Sequence, residues 1–171
     1  MFGFGKKKVA EAPVINEVIV NDPTLYAPLA GQVLDLSEVS DPVFSQKMMG
    51  DGFAIEPTEG NIVAPVAGKV TMLQGHAVGL QRADGLEVLV HLGIDTVALN
   101  GAPFSLNVAE GQILEGGQEI GTADWAQVEA AGMPKTTMVL ITNTADALAD
   151  LSISATGTVA AGDIVGQATA K

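Results

Sequence analysis

From Leu86 to Asp95 apolar and polar positions alternate with a period of two: Leu86, Val88, Val90 and Leu92 fall on one face, and Glu87, Leu89, His91, Gly93 and Asp95 on the other. This alternation predicts a half-buried β-strand, with the aliphatic face on a core and His91 on the more polar face. Just upstream, Arg82-Ala83-Asp84-Gly85 reads as the turn of a β-hairpin. Two registers are open. If Ala83 and Asp84 form the loop, paired positions sum to 167 and His76 lies directly opposite His91, with Cβ atoms roughly 4.5 to 5.5 Å apart. If Asp84-Gly85 is the loop, the sum is 169 and the two histidines sit diagonally on one face.

A second pattern is an internal repeat. Ala27-Pro28-Leu29-Ala30-Gly31-Gln32-Val33-Leu34-Asp35-Leu36 recurs 37 positions later as Ala64-Pro65-Val66-Ala67-Gly68-Lys69-Val70-Thr71-Met72-Leu73, with six of ten positions identical. A weaker echo links Glu110 to Ile120 with Thr156 to Ile164, less one residue. Each half then consists of a strand entry and a later glycine-punctuated hairpin, which predicts two pseudo-symmetric sheets packed face to face. Helix is scarce: Asp124 is placed to cap a short helix through Trp125, Val128 and Ala131, ended by Gly132 and Pro134, and Asp146 to Leu151 reads as another turn. Trp125 is assigned to packing. Residues 1 to 20 read as a flexible tail, and 21 to 171 as one domain.

Composition sharpens the class. Twenty glycines, eight prolines and seven aromatics among 171 residues favour short strands and tight turns. The expected fold is all-β, an antiparallel β-sandwich with one or two short helical turns. No cysteine is present, which removes disulfides and thiolate chemistry and is compatible with a cytoplasmic location. The formal charge of -12 argues against nucleic acid as a partner and favours basic proteins, and three of the eight basic residues are Lys6, Lys7 and Lys8. With Phe2 and Phe4, those lysines offer at most a weak membrane contact through residues 1 to 8. No run approaches the ~18 apolar residues of a membrane span.

The chemistry concentrates at Val90-His91-Leu92-Gly93-Ile94-Asp95-Thr96-Val97. A carbonyl at Gly93 accepting from His91 Nδ1 would fix the tautomer and leave Nε2 as the nucleophile. Asp95 is read either as a turn-capping residue or as a charge that tunes the site.

These residues, with Gly75-His76-Ala77, the stretch Asp41 to Gly52 and Val139-Leu140-Ile141-Thr142-Asn143, resemble the glucose-family enzyme IIA of the bacterial phosphoenolpyruvate-dependent sugar phosphotransferase system. The resemblance runs through nearly everything after residue 20. It implies a β-sandwich on a duplicated motif and a phosphohistidine mechanism. His91 would accept the phosphoryl group through Nε2, and His76 would stabilise it. It also implies two protein partners: the histidine-containing phosphocarrier protein as donor and the enzyme IIB domain of a sugar permease as acceptor. The matching docking patch would be Val43, Phe44, Met48, Met49, Val78 and Leu89, with Asp41 and Asp95 as acidic neighbours. No cofactor is required, although His76 and His91 could contribute to a zinc site completed by a partner. One departure stands out: the segment from Gly68 to His76 is two residues shorter than the usual family pattern, and Leu73-Gln74-Gly75 replaces the expected threonine before the histidine. Two expectations follow: Gln74, which shares the parity of His76, substitutes for that threonine, or the strand bulges differently.

Three rival readings have specific features. The spacing from His91 to Asp95 also occurs in lysostaphin-like zinc peptidases, which need a third histidine that this chain lacks. Lys47-Met48 suggests a biotinyl or lipoyl carrier, but Gln46 stands where a biotin acceptor has a second methionine. A regulatory module that bridges partners, with or without zinc, would keep the docking patch and need no phosphoryl transfer.

Overall fold

The computed structural model describes residues 17–171; the lysine-rich start and most of the expected tail lie outside them. The chain forms β1 (Thr24–Tyr26), β2 (Gly31–Asp35), α1 (Pro42–Ser45), β3 (Asp51–Pro57), β4 (Asn61–Val63), β5 (Gly68–Gln74), β6 (Ala77–Gln81), β7 (Glu87–His91), β8 (Phe104–Leu106) and β9 (Ile113–Leu114). It continues with β10 (Glu119–Ala123), α2 (Trp125–Ala130), β11 (Thr137–Ile141), α3 (Thr144–Ala147), β12 (Leu148–Ile153), β13 (Thr158–Val159) and β14 (Ile164–Ala170). Two short 3-10 turns, Leu36–Glu38 and Thr96–Leu99, complete it.

Among the described residues all pairings are antiparallel, in an eight-stranded sheet of order β9-β5-β6-β7-β11-β3-β2-β13 and two three-stranded sheets, β4-β10-β8 and β12-β14-β1. One face of the large sheet packs on both small sheets. Phe53, Ile55, Val70, Val78, Leu80, Val88, Val90, Val139 and Ile141 meet Leu25, Ile62, Ile120, Val165 and Ala168 in one buried cluster. This is the sandwich that the alternation calls for, and Leu86, Val88, Val90 and Leu92 all lie in its core.

The duplication is visible in the hydrogen bonds. Val63 N donates to Pro28 O at 2.9 Å, and Tyr26 N donates to Pro65 O at 2.8 Å, so the two copies exchange equivalent bonds across a pseudo-twofold axis. Ala27 N reaches Asp163 O as Ala64 N reaches Gln118 O. Gly31 pairs with Val159 as Gly68 pairs with Leu114. The second echo therefore runs at a constant offset of 45 (159 from 114, 163 from 118), and no residue is missing from it.

The helices depart from expectation in detail. α2 starts at Trp125, but Asp124 makes no side-chain cap bond to its backbone and instead accepts from Gln127 Nε2 at 3.0 Å. α3 ends at Ala147, because Leu148–Ile153 is claimed as a strand by β14. α1 is additional to the expected elements. Its signal is Asp41-Pro42: Asp41 Oδ1 accepts from Val43 N at 2.9 Å, and Pro42 opens the helix.

Candidate functional site

The hairpin that carries the histidines adopts neither expected register. Arg82 N donates to Leu86 O, leaving a three-residue loop Ala83-Asp84-Gly85 with Gly85 at φ 94°. Paired positions then sum to 168: Val78 with Val90, and Ala77 with His91. Arg82 explains the choice. Its buried guanidinium pairs with Asp84 within the loop and donates to Ala168 O at 2.8 Å and Pro23 O at 3.3 Å, clamping the loop to β14 and to the entry of β1. A loop one residue shorter would misplace that clamp.

The histidines nevertheless meet. His76 is outside β6, in the two-residue turn Gly75-His76 that joins β5 to β6, so strand alternation does not dictate its direction. Its ring stands edge-on to that of His91, with centroids 5.0 Å apart and an interplanar angle of 78°. His91 ends β7 between Ala77 on one side and Met138 on the other. The outer face of β7 is not open, as its polarity would suggest. Leu89, Ala77, Met138 and Leu140 form a second apolar cluster with Ala54, Leu36, Val39, Phe44 and Ile94, laid over the sheet by the 36–45 segment. Phe44 places its ring 5.1 Å from that of His91.

The turn after β7 sets the chemistry of His91. Gly93 sits at φ 77°, a region that glycine occupies without strain, and turns its carbonyl back to within 2.8 Å of His91 Nδ1. Nδ1–H donates to this oxygen in the neutral ring, and Nε2 keeps its lone pair. Buried Thr96 braces the turn by donating from Oγ1 to Leu92 O at 2.5 Å, and Leu92 N donates to His76 O at 2.9 Å. One short loop thus holds both imidazoles.

Burial pushes the pKa of His91 below the ordinary histidine value, partly offset by the Gly93 hydrogen bond and by the charges of Asp41 and Asp95. Burial also lowers the pKa of His76, and the charge of His91 lowers it further. His76 is only 8% exposed. No hydrogen bond contributes to its shift, and Gln74 is exposed, so Gln74 does not take the place of the absent threonine. Asp95 acts on His91 through charge. It is exposed in the left-handed region at φ 63° and makes no side-chain cap bond, which removes the turn-capping alternative.

The expected docking residues divide. Val43, Met48 and Met49 are exposed, Met48 by 70%. Phe44 and Leu89 are buried in the outer cluster beside His91, and Val78 is fully buried in the main core. Val78 therefore cannot be a contact residue. The cause is the register: with pairs summing to 168, Val78 faces inward beside Val90. Val97, 61% exposed on the 3-10 turn after the site, is an apolar surface residue that the sequence pattern does not single out. Lys47 follows α1 at φ 62° and pairs with Asp51 at 3.4 Å; it is not at a hairpin tip, which removes the carrier-lysine reading. Among the described residues no three His, Cys, Asp or Glu side chains converge as a metal site, and no helix is long and apolar enough to cross a membrane.

Known proteins share the sequence and the fold. A family model described as "phosphoenolpyruvate-dependent sugar phosphotransferase system, EIIA 1" matches residues 23–147. The chain is 39% identical over 146 residues to the PTS system glucose-specific EIIA component of Bacillus cereus, a match covering 84% of this chain and 81% of that one. It is 50% identical over 139 residues to the PTS system glucose-specific EIICBA component of Streptococcus pneumoniae, covering 80% of this chain but only 19% of that longer protein. Among solved structures it is similar to glucose permease IIA from Mycoplasma capricolum, with a TM-score of 0.74 at 36% identity, covering 84% of this chain and 93% of the other.

Proposed function

The chain belongs to the EIIA 1 family of the phosphoenolpyruvate-dependent sugar phosphotransferase system, and from that premise we propose that it is a phosphocarrier of sugar uptake whose acceptor is Nε2 of His91. The observation that carries this is the 2.8 Å contact between His91 Nδ1 and Gly93 O. It fixes the one neutral tautomer in which Nε2 has a free lone pair. That pair forms the new N–P bond as the bond from phosphorus to the donor's histidine nitrogen breaks. No proton has to leave His91, because Nε2 in this tautomer carries none. The lowered pKa keeps the ring neutral near pH 7.

His76 donates from its ring to a phosphoryl oxygen in this reading, which is supported by the edge-on approach of its ring to that of His91. The donor is the histidine-containing phosphocarrier protein, and the acceptor is an enzyme IIB domain; the B and A letters joined in the name of the fused relative support the second assignment. Both encounters use the exposed Val43, Met48, Met49 and Val97 around the covered His91, with small, transient interfaces. The work takes place in the cytoplasm and needs no cofactor. Zinc would find two imidazoles here and would need further donors from a partner to complete a four-coordinate site.

The test is intact mass after incubation with phosphoenolpyruvate, enzyme I and the histidine phosphocarrier. One acid-labile phosphoryl adduct on the wild type, absent from His91→Ala, supports the reading. No adduct with a demonstrably active donor pair refutes it. His76→Gln is expected to accept the phosphoryl group and to pass it on slowly; equal performance in both half-reactions would reject the role given to His76.

A further inference from the structure

Among the described residues no hydrogen bond contributes to the pKa shift of the His76 ring, which leaves its direction to packing and to the course of its backbone. One side of that backbone is fixed by the bond from Leu92 N to His76 O. The other side is the neighbouring residue, Gly75. Two-residue hairpin turns usually need positive φ at their central residues, which is the common reason for glycine there. That reason is absent here: neither Gly75 nor His76 is among the residues with positive φ.

What Gly75 provides is space. A Cβ at position 75 would lie 2.7 Å from Gly101 Cα and 3.1 Å from Gly101 N. Reciprocally, a Cβ at position 101 would lie 3.0 Å from Gly75 Cα. Two glycine backbones touch, with no room for a methyl group between them. The Gly101 side is tied down by hydrogen bonds and packing. Gly101 and Asn100 both lie in the left-handed region, and the turn is closed by bonds from Ala102 N to Leu99 O and from Phe104 N to Gly101 O. Phe104 then packs edge-on against buried Trp125 at 5.7 Å, and Trp125 Nε1 donates to Glu59 O at 3.0 Å. The tip of the histidine hairpin leans on a stop that is anchored in the second layer of the sandwich.

We propose that Gly75 and Gly101 are a positioning pair for His76, whose backbone contact sets the distance between the hairpin tip and His91. The assignment rests on the phosphocarrier reading given above. A methyl group at position 75 must push the tip back by about 0.7 Å to turn 2.7 Å into a tolerable 3.4 Å. Displacements approaching 1 Å in a reacting assembly cost on the order of 10²-fold in rate. Gly75→Ala introduces no φ strain, so it tests the contact alone.

The experiment measures both half-reactions, phosphoryl uptake from the donor and delivery to an enzyme IIB domain, in wild type, Gly75→Ala, His76→Gln and the double variant. The nuclear Overhauser effect between the two imidazole rings is read in wild type and Gly75→Ala. Gly75→Ala should keep uptake within about threefold while slowing delivery on the order of 10²-fold. It should weaken the ring-to-ring effect and add nothing to His76→Gln, because both changes remove one function. Equal slowing of both half-reactions, additivity with His76→Gln, or an unchanged ring-to-ring effect would overturn the proposal. Should Gly75→Ala fail to fold, Gly101→Asn reads the same contact from the other side, since asparagine tolerates positive φ. A wild type that takes no label overturns the phosphocarrier reading and this one together; a labelled wild type with the contrary outcomes above overturns the positioning alone.

Discussion

Gly93→Ala separates the two things that Gly93 does, and the structure supplies its control. At φ 77° an alanine pays the left-handed penalty of about 1 to 2 kcal/mol. Its Cβ would also lie 2.5 Å from Thr96 Cγ2 and 3.1 Å from Pro134 O. Relieving the first contact to 3.4 Å needs a shift of about 0.9 Å in a fully buried pocket, an overpacking cost of about 1 to 3 kcal/mol. The sum is about 2 to 5 kcal/mol. Gly111 has a similar φ of 91°, and a methyl group added there would meet nothing within 4 Å, so Gly111→Ala should cost only the left-handed penalty of about 1 to 2 kcal/mol. At about 2 to 4 °C per kcal/mol for a chain of this size, Gly93→Ala should melt several degrees below Gly111→Ala.

The functional half concerns the carbonyl. The Nδ1–H to Gly93 O bond is worth about 1 kcal/mol. Losing it should reduce the tautomer ratio by about fivefold, and phosphoryl uptake per folded molecule by no more than that factor. Urea denaturation measures the first effect; long-range 1H–15N correlation of the His91 ring and uptake kinetics measure the second. Adding Thr96→Ser removes Cγ2 while retaining the hydroxyl that bonds Leu92 O, and should return stability toward the Gly111→Ala level. The reasoning fails if Gly93→Ala is no less stable than Gly111→Ala, and keeps its Nδ1–H tautomer and its uptake rate.

Three further outcomes are expected. Both histidines have folded pKa values below the ordinary ~6.5, so between those values and ~6.5 the unfolded chain binds more protons; stability should be full above ~6.5 and fall with pH through that window. Urea titrations from pH 5 to 8 should show the slope in wild type and not in His76→Gln/His91→Gln. Phe44→Ala should let water reach His91 and raise its pKa toward the ordinary value, because burial is the largest cause of the depression; an unmoved or lower value by NMR titration would contradict the covering role of Phe44. Arg82→Met should cost about 1 to 3 kcal/mol by leaving the carbonyls of Pro23 and Ala168 without their donor, Asp84 being exposed at the loop, while leaving phosphoryl uptake per folded molecule unchanged; thermal melting and labelling test the two halves.

The duplicated sandwich is legible because it is written twice. Ala27 to Leu36 and Ala64 to Leu73 each carry the same strand entry, and the 37-residue spacing reappears in the bonds exchanged between Tyr26, Pro28, Val63 and Pro65. The core face of β7 is legible for a similar reason: a period of two has only one solution when Leu86, Val88, Val90 and Leu92 must be buried together. What the pattern misjudges is the opposite face. Alternation records which side of a strand is more polar, but it does not record a later segment folding over that side. Residues 36–45 do that, and their helix start at Asp41-Pro42 is too short to show a period.

The histidine pair teaches the sharper point. In the sequence its proximity follows from a register that the chain does not use, because Asp84-Gly85 chemistry suggests one loop length while the actual length is set by where Arg82 must reach, on Pro23 and Ala168. Those partners lie 59 and 86 positions away, beyond any local rule. With pairs summing to 168, strand geometry alone would place residue 76 opposite Leu92, on the face away from His91. Proximity survives only because His76 has left the strand for a turn. The two-residue β5–β6 turn Gly75-His76 is where that ring comes to stand with its centroid 5.0 Å from that of His91. A hairpin with a longer tip would need another device to fold its histidine back; here the tight turn supplies the direction, and the Gly75–Gly101 contact supplies the distance.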